Sequence, residues 1–137
     1  MPYGNVENMT FELWMVVASV VLLFAQITMQ ALLLTAQLGR EYNAGPRDED
    51  KPLTGRAGRA KRMVENYLET YPAFIALALV TAVSGGSDWL TQGGAALYIV
   101  GRIIYIPLYL RGIAYFRSMV WIFASLGLVA MAIGLIV

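Results

Sequence analysis

The chain has 137 residues and a net charge of +1, with 58% hydrophobic and only 14% charged residues. An ordinary soluble domain has about 25% charged residues, and a small one needs proportionally more polar surface than a large one. The composition therefore excludes an ordinary soluble monomer, and the near-neutral charge argues against nucleic acid as a partner. The absence of Cys and His excludes disulfides, a Ser-His-Asp triad, a cysteine nucleophile and zinc or haem bound through those residues.

Four long apolar segments follow one another along the chain, at residues 11–38, 62–83, 90–110 and 118–137. Each has roughly the 20 residues that a helix needs to cross a bilayer. Because the bilayer offers no water to backbone polar groups, these segments are predicted to be helices. We therefore predict one all-α domain over residues 1–137, an integral membrane four-helix bundle with a single sizeable loop at residues 39–58.

The ten Lys and Arg residues all fall on one side of this topology. Seven lie between or near the first two segments, two lie between the third and fourth, and Arg102 lies within the third. The positive-inside rule then predicts a multi-pass protein with cytoplasmic basic loops and both termini on the non-cytoplasmic side. Arg59 and Lys61 are interpreted as interfacial anchors. Glu12, at the other end of the first segment, is expected to be solvated.

Polar residues recur at helical spacing inside the apolar segments, which places each set on one helix face. The sets are Arg59, Arg62, Asn66 and Glu69 in the second segment, Tyr98, Arg102, Tyr105 and Tyr109 in the third, and Gln26, Gln30 and Gln37 in the first. The Gln stripe is interpreted as a helix–helix contact. Ionisable residues at membrane depth are costly and are functional by default. Glu69 and Arg102 are estimated to lie at similar depth, and we expect them to form a buried pair.

These stripes describe a polar pocket that opens toward the cytoplasm. Arg62, Arg102 and Arg117 offer bidentate recognition of carboxylates, while Asn66 and Glu69 can receive an amino group. The pocket therefore suits an anionic small molecule that carries carboxylates and an ammonium group. The surrounding lipid would supply an apolar second substrate. A purely structural ion pair is the alternative.

Three stretches carry a resemblance to a known family. Arg62, Asn66 and Glu69, followed by Tyr71-Pro72, resemble the second-helix signature of the MAPEG family, the membrane-associated proteins in eicosanoid and glutathione metabolism. The stretch Gly101-Arg102-x-x-Tyr105-x-x-x-Tyr109 is similar to the family's third helix, and Arg117-Ser118 to the pair that opens its fourth helix. Gly45-Pro46-Arg47-Asp48 is a weaker match to the first cytoplasmic loop.

The resemblance implies a homotrimer of four-helix subunits that binds glutathione, a thiol cosubstrate, between neighbouring subunits, with no metal. By position, Arg62, Asn66 and Glu69 would bind the glutathione backbone, and Arg102, Tyr105 and Tyr109 would complete the pocket. Arg117 would hold the sulfur as thiolate beside Ser118, so that Arg117, Ser118 and Tyr109 form the catalytic set. Gln37 or Arg40 would take the place of the family's Arg near the end of helix one.

The sequence thus leads to the hypothesis of a glutathione-dependent membrane enzyme of transferase or peroxidase type. Its substrates would be lipophilic electrophiles or lipid hydroperoxides that arrive from the membrane lipids. Two alternatives stay open. One is a non-catalytic lipid-binding scaffold of the same fold, and the other is a small four-helix transporter.

Overall fold

The computed structural model describes residues 6–137, and residues 1–5 lie outside the described part. After a 3₁₀ turn at Val6–Asn8, the helices are α1 (Phe11–Leu38), α2 (Arg40–Ala44), α3 (Gly55–Ser84), α4 (Trp89–Leu110) and α5 (Ala114–Gly134). All but the short α2 are long and apolar enough to cross a membrane. The prediction of an all-α protein with four membrane helices is confirmed.

The helix bounds differ from the predicted spans at the polar ends. Helix α3 begins at Gly55, seven residues before the apolar segment, so residues 39–58 contain α2 and the first turn of α3 rather than a continuous loop. Hydropathy locates only the apolar part of a helix, whereas the helix continues wherever one face is buried. In α3 this face is supplied by Ala57, Gly58 and Ala60, which are buried among basic neighbours.

Short connections make consecutive spans antiparallel. Four residues join α3 to α4 and three join α4 to α5, which is too short for any other arrangement. Arg59, at the start of α3, donates its Nε–H to the Leu110 carbonyl oxygen at the end of α4, 2.9 Å away. This bond satisfies a free C-terminal carbonyl, so Arg59 ties two helices together instead of serving only as an anchor. We call this end of the bundle the basic end and the opposite one the Glu12 end.

Glu12 is fully buried, so the expectation of a solvated residue was wrong. Its carboxylate accepts hydrogen bonds from the Ser87 hydroxyl, 3.0 Å from each oxygen, and from the Thr91 hydroxyl at 2.5 Å. Thr91 lies in the first turn of α4, where Asp88 forms a reciprocal capping box with it. A helix N-terminus favours a nearby negative charge, which explains why a carboxylate can be buried here with no Lys or Arg within 4 Å in residues 6–137.

Helices α4 and α5 pack backbone to backbone in the half nearest the Glu12 end. A methyl group added at Gly127 would lie 2.5 Å from the Gly94 carbonyl oxygen, and one added at Gly94 would clash with the Gly127 carbonyl oxygen. Further along, a methyl at Gly101 would lie 2.9 Å from the Ala124 Cβ. Small residues at such crossings allow membrane helices to approach closely. We call Gly94, Gly101, Ala124 and Gly127 the glycine seam.

The centre of the bundle is aromatic. Tyr67 stacks on Tyr71 with ring centroids 4.8 Å apart, and Phe74 stacks on Tyr98 at 4.6 Å. The Tyr67 hydroxyl donates to the Ser19 carbonyl oxygen, and the Ser19 and Tyr71 hydroxyls are hydrogen-bonded to each other, both at 3.0 Å. These bonds join α1 to α3. The Phe74–Tyr98 stack joins α3 to α4 in turn. Together these contacts fix α3 and α4 against α1 and so determine where their polar side chains lie.

The predicted Gln stripe divides between two kinds of contact. Gln26 is buried and donates to the Leu22 carbonyl oxygen of its own helix at 3.3 Å. Gln37 bonds across helices, because its Nε2 donates to the Thr54 hydroxyl at 2.7 Å and its Oε1 accepts from the Thr54 backbone N–H at 3.2 Å. Thr54 precedes the first residue of α3, so Gln37 fastens the end of α1 to the start of α3.

Candidate functional site

Arg102 lies at the centre of the polar residues of α3 and α4. Its side chain is only 2% exposed, and its guanidinium lies 5.2 Å from the Tyr67 ring and 4.7 Å from the Tyr105 ring. Two aromatic faces attract a desolvated cation in this arrangement. Its Nε and Nη2 atoms are buried and have no hydrogen-bond partner within residues 6–137. Since buried polar groups are nearly always paired, these two donors mark unused binding capacity at the site.

Asn66 is oriented by Arg102. The Arg102 Nη1 atom donates to the Asn66 Oδ1 at 2.9 Å. A guanidinium can only donate, so the amide oxygen must face it and the Asn66 amino group is left to donate elsewhere. Asn66 also lines a cavity between α3, α4 and α5. It therefore presents a fixed donor at the wall of that cavity.

Glu69 does not pair with Arg102 in the way we expected. The two ion pairs within 4 Å in residues 6–137 are Lys51–Glu49 and Lys61–Glu65, and Glu69 is exposed on the surface of the single chain. The depth estimate could not distinguish two sides of the same helix turn. Asn66 is the residue of α3 that contacts Arg102, and Glu69 occupies a neighbouring, outward position three residues further along the helix.

Arg117 is the second cation of the site. Its guanidinium lies over the Tyr109 ring at 4.7 Å, and Tyr109 in turn contacts Tyr105, with ring centroids 5.3 Å apart. Neither of the ion pairs given above involves Arg117. An arginine that lies over an aromatic ring and has no carboxylate within 4 Å in residues 6–137 remains available to bind an anion.

The cavity beside Arg117 brings four of the predicted residues together. Its volume is about 360 Å³, and its lining consists of Asn66, Tyr105, Arg117, Ser118, Trp121 and Ile122. The first four supply hydrogen-bond donors and a positive charge, whereas Trp121 and Ile122 supply an apolar wall. We call this the Arg117 cavity. The Ser118 hydroxyl donates to the Ala114 carbonyl oxygen at 3.1 Å, a bond within its own helix that rotation of the hydroxyl can release.

Arg62 and Glu69 stand apart from the Arg117 cavity. Arg62 is exposed and lines a different cavity near the start of α3. Two residues were candidates for the place of the family's Arg near the end of helix one. Gln37 is hydrogen-bonded to Thr54, and Arg40 is exposed. A single chain therefore assembles Asn66, Arg102, Tyr105, Tyr109, Arg117 and Ser118 and leaves Arg62 and Glu69 outside this group.

Tyr67 is a member of the site that the sequence pattern did not single out. Its ring covers one face of Arg102 while its hydroxyl bonds α1. The spacing of four between Tyr67 and Tyr71 was the available signal, because it places both rings on one helix face. Trp121 and Ile122, which form the apolar wall, follow Arg117 by one helix turn.

Residues 6–137 contain no group of three or more His, Cys, Asp or Glu side chains that could hold a metal ion. The fold and the site together define a multi-pass membrane protein with a cation-bearing cavity that borders on apolar surface. The family model of the MAPEG family matches residues 11–137, nearly the whole chain, and the chain belongs to this family. Membership brings with it a general role in glutathione- or eicosanoid-related chemistry at the membrane. No curated protein and no solved structure matches the chain.

Proposed function

We propose that the protein is a glutathione-dependent membrane enzyme of transferase or peroxidase type, acting on lipophilic electrophiles or lipid hydroperoxides. The observation that carries this proposal is the Arg117 cavity. There an arginine that pairs with no carboxylate of residues 6–137 lies beside a serine, an asparagine and a tyrosine on one side and beside Trp121 and Ile122 on the other. This combination suits a reaction between a polar thiol and an apolar substrate.

The residues present fit glutathione by the chemistry of their donors. Glutathione carries two carboxylates, and the cavity offers the Asn66 amino group and the guanidinium of Arg117. Glutathione would supply the thiol that this Cys-free chain lacks. Arg102 would act as a positioning residue that fixes Asn66, and Tyr105 would add a hydroxyl at the cavity wall.

Arg117 would favour the ionised form of a thiol beside it. A free thiol has a pKa near 8.5, and an adjacent cation lowers this value because it stabilises the thiolate. Tyr109 would keep the guanidinium plane in place, and Ser118 would rotate its hydroxyl from the Ala114 carbonyl toward the sulfur. Trp121 and Ile122 would hold the lipophilic substrate and exclude water.

The exposed positions of Arg62 and Glu69 favour a homotrimer. Both residues were assigned to glutathione binding by their place in the family signature, yet both are exposed in the single chain, where Arg62 borders a separate cavity and Glu69 lies at the surface. Charged side chains within a membrane helix are costly when they face lipid. A neighbouring copy that covers this face of α3 would complete the site. Native mass spectrometry in mild detergents should show trimers, and monomers alone would contradict this assembly.

We also propose that the basic end faces the cytoplasm and that both termini lie outside, on the basis of the one-sided distribution of Lys and Arg. Because the chain has no Cys, single substitutions Arg47→Cys and Asn8→Cys give exposed labelling sites at opposite ends. A membrane-impermeant maleimide applied to intact cells should label only the second variant. Labelling of the first variant alone would reverse the orientation.

The enzyme proposal is tested by Arg117→Leu in the purified, detergent-solubilised protein. With glutathione bound, the pH midpoint of the thiolate ultraviolet absorbance should rise toward the free value, by about two pH units, which corresponds to roughly 2.7 kcal/mol of thiolate stabilisation. Arg117→Lys should fall in between, because an ammonium is a compact point charge without the planar fork of a guanidinium.

Arg111→Leu is the matched control. Arg111 is exposed on the turn before α5 and does not line the cavity, so its loss should leave the midpoint unchanged. If the Arg117→Leu protein binds glutathione with an unaltered midpoint, Arg117 has no part in thiol activation. The non-catalytic lipid-binding scaffold would then be the better description of the protein.

A further inference from the structure

A second cavity, larger than the Arg117 cavity, opens at the basic end. Its volume is about 520 Å³, and it lies between the last turns of α1, the segment that joins α1 to α3, and the first turns of α3. A smaller hollow of about 180 Å³ adjoins it, since Gln30, Leu34 and Arg47 line both. We call the two together the basic groove. Neither part contains Arg117, Ser118 or Tyr105.

The mouth of the basic groove is positively charged. Arg47, Lys51, Lys61 and Arg62 line it against two carboxylates, Asp50 and Glu65. Lys61 lies 3.9 Å from Glu65, but both side chains are more than half exposed, and such surface pairs contribute little. The groove therefore keeps a net attraction for anions.

The connecting segment is built to hold these cations in place. The Arg47 guanidinium donates to the Asn43 side-chain and backbone oxygens, and Asn43 Nδ2 donates to the Thr35 hydroxyl of α1 at 2.9 Å. Arg47 also has a φ of 57°, a left-handed conformation that costs energy in a residue other than glycine and needs support from its surroundings.

Lys51 is held in a similar way. Its ammonium lies 5.3 Å from the centre of the Tyr42 ring. The Tyr42 hydroxyl donates to the Glu49 carbonyl oxygen at 3.0 Å and accepts from the Lys51 backbone N–H at 3.2 Å. The mouth of the groove is thus fixed by hydrogen bonds on both the Arg47 and the Lys51 side.

The groove changes character as it descends along α1. Below the mouth, Leu34, Ala31 and Ile27 form an apolar wall along α1, and Gln30, Asn43 and Arg47 line the rest of the hollow. Ile27 precedes Leu38, the last residue of α1, by eleven positions, which corresponds to about 16 Å along the helix axis. A charged mouth at the membrane surface and an apolar wall of α1 that reaches into the hydrocarbon match an amphiphile that has an anionic head and a long apolar chain.

We infer that the basic groove binds an anionic phospholipid of the surrounding bilayer. Its phosphate would lie near Lys51 and Lys61, and one acyl chain would follow Leu34 and Ala31 toward Ile27. A small soluble anion would use only the mouth and leave the apolar part uncovered. The groove shares Arg62 with the proposed glutathione site, but the inference does not depend on the proposed enzyme activity, because Lys51 and Lys61 lie outside that site.

The experiment compares two double variants of the detergent-solubilised protein by native mass spectrometry, titrated with phosphatidylglycerol or phosphatidylcholine. Lys51→Gln with Lys61→Gln removes two charges from the groove. Arg40→Gln with Arg56→Gln removes the same charge from exposed positions at the same end that do not line it. At about fivefold for each cation, the groove variant should bind phosphatidylglycerol about 30-fold more weakly, and the control should lose much less.

A third variant, Ala31→Phe, tests the apolar part, since its ring fills the smaller hollow without a change of charge. It should weaken binding of phosphatidylglycerol and leave competition by glycerol 3-phosphate unchanged. Equal losses in the two double variants would reduce the effect to general surface charge and overturn the inference. So would full competition by glycerol 3-phosphate, a change of oligomeric state, or loss of glutathione binding in the Lys51/Lys61 variant. The outcome of the Arg117→Leu experiment is independent of all of these outcomes.

Discussion

The two halves of the α4–α5 hairpin show opposite ways of packing the same pair of helices. Near the Glu12 end the glycine seam brings the two backbones into direct contact, and the polar side chains there are satisfied. Toward the basic end the same helices carry Tyr105, Arg117 and Trp121 around a cavity, and Arg102 keeps two unpaired donors. Stability and binding capacity are thus assigned to different halves of one hairpin.

The difference follows from side-chain size. Where a residue has no side chain, the helices approach until their backbones touch, and no space is left for a ligand. Where arginines and aromatic residues lie between the helices, these large side chains keep the two backbones apart and a cavity forms. The close contact in one half fixes the two helices relative to each other. The other half can therefore keep its cavity without being packed with small apolar side chains.

The largest effect is expected from Gly94→Ala. The new methyl group would meet the Gly127 carbonyl oxygen, so the backbones must separate, and we expect a loss of about 3 kcal/mol in the free energy of unfolding. Gly93→Ala is the matched control, because a methyl group there meets nothing within 4 Å and alanine is the better helix former. Titration of SDS into mixed micelles measures both, and equal stabilities would remove the seam from the account of the fold.

A smaller loss is expected at the Glu12 end. Glu12→Leu leaves the Ser87 hydroxyl without its acceptor and should lower the free energy of unfolding by about 2 kcal/mol. Glu12→Gln keeps one carbonyl oxygen and should lose less. Glu7→Gln, in the exposed turn before α1, should be silent in the same titration. A Glu12→Leu protein as stable as the parent would show that the buried carboxylate does not hold α1 to α4.

The smallest effects are expected in the open half. Asn66→Leu removes the hydrogen bond between Asn66 and Arg102, and we expect a loss of about 1 kcal/mol, because the two aromatic rings still hold the cation. Glu69→Gln should cost about 0.5 kcal/mol or less, since Glu69 is exposed. A double-mutant cycle with Arg102→Met separates the two partners. Stronger coupling of Arg102 to Glu69 than to Asn66 would favour the ion pair that the depth estimate predicted.

Much of the fold could be predicted from hydropathy and charge alone, because a membrane helix has to be long, apolar and continuous. The family signature likewise indicated Asn66, Arg102, Tyr105 and Arg117, and the structure brings these four residues close together. The predicted contacts were wrong where they depend on which face of a helix packs against which neighbouring helix. Helical spacing places Asn66 and Glu69 on one stripe, but only the packed bundle shows that Asn66 contacts Arg102.

The burial of Glu12 could not be predicted for a related reason. The residue lies one position inside an apolar segment, where a solvated end and a buried contact have the same local sequence. Its partners come 75 and 79 residues later in the chain. No local pattern links them, whereas Gln37 and Thr54 are near enough in sequence for their helices to be adjacent in any bundle of this order.

The contact between Glu12 and the start of α4 also bears on how the chain is made. During synthesis the first span leaves the ribosome long before Ser87 and Thr91 are made. The Glu12 carboxylate is therefore first solvated by water or lipid headgroups. It can enter the interior only after the third span has been inserted and its first turn is formed. The closure of this end is therefore a late step in biogenesis, and it makes the insertion of the third span a condition for the final position of the first.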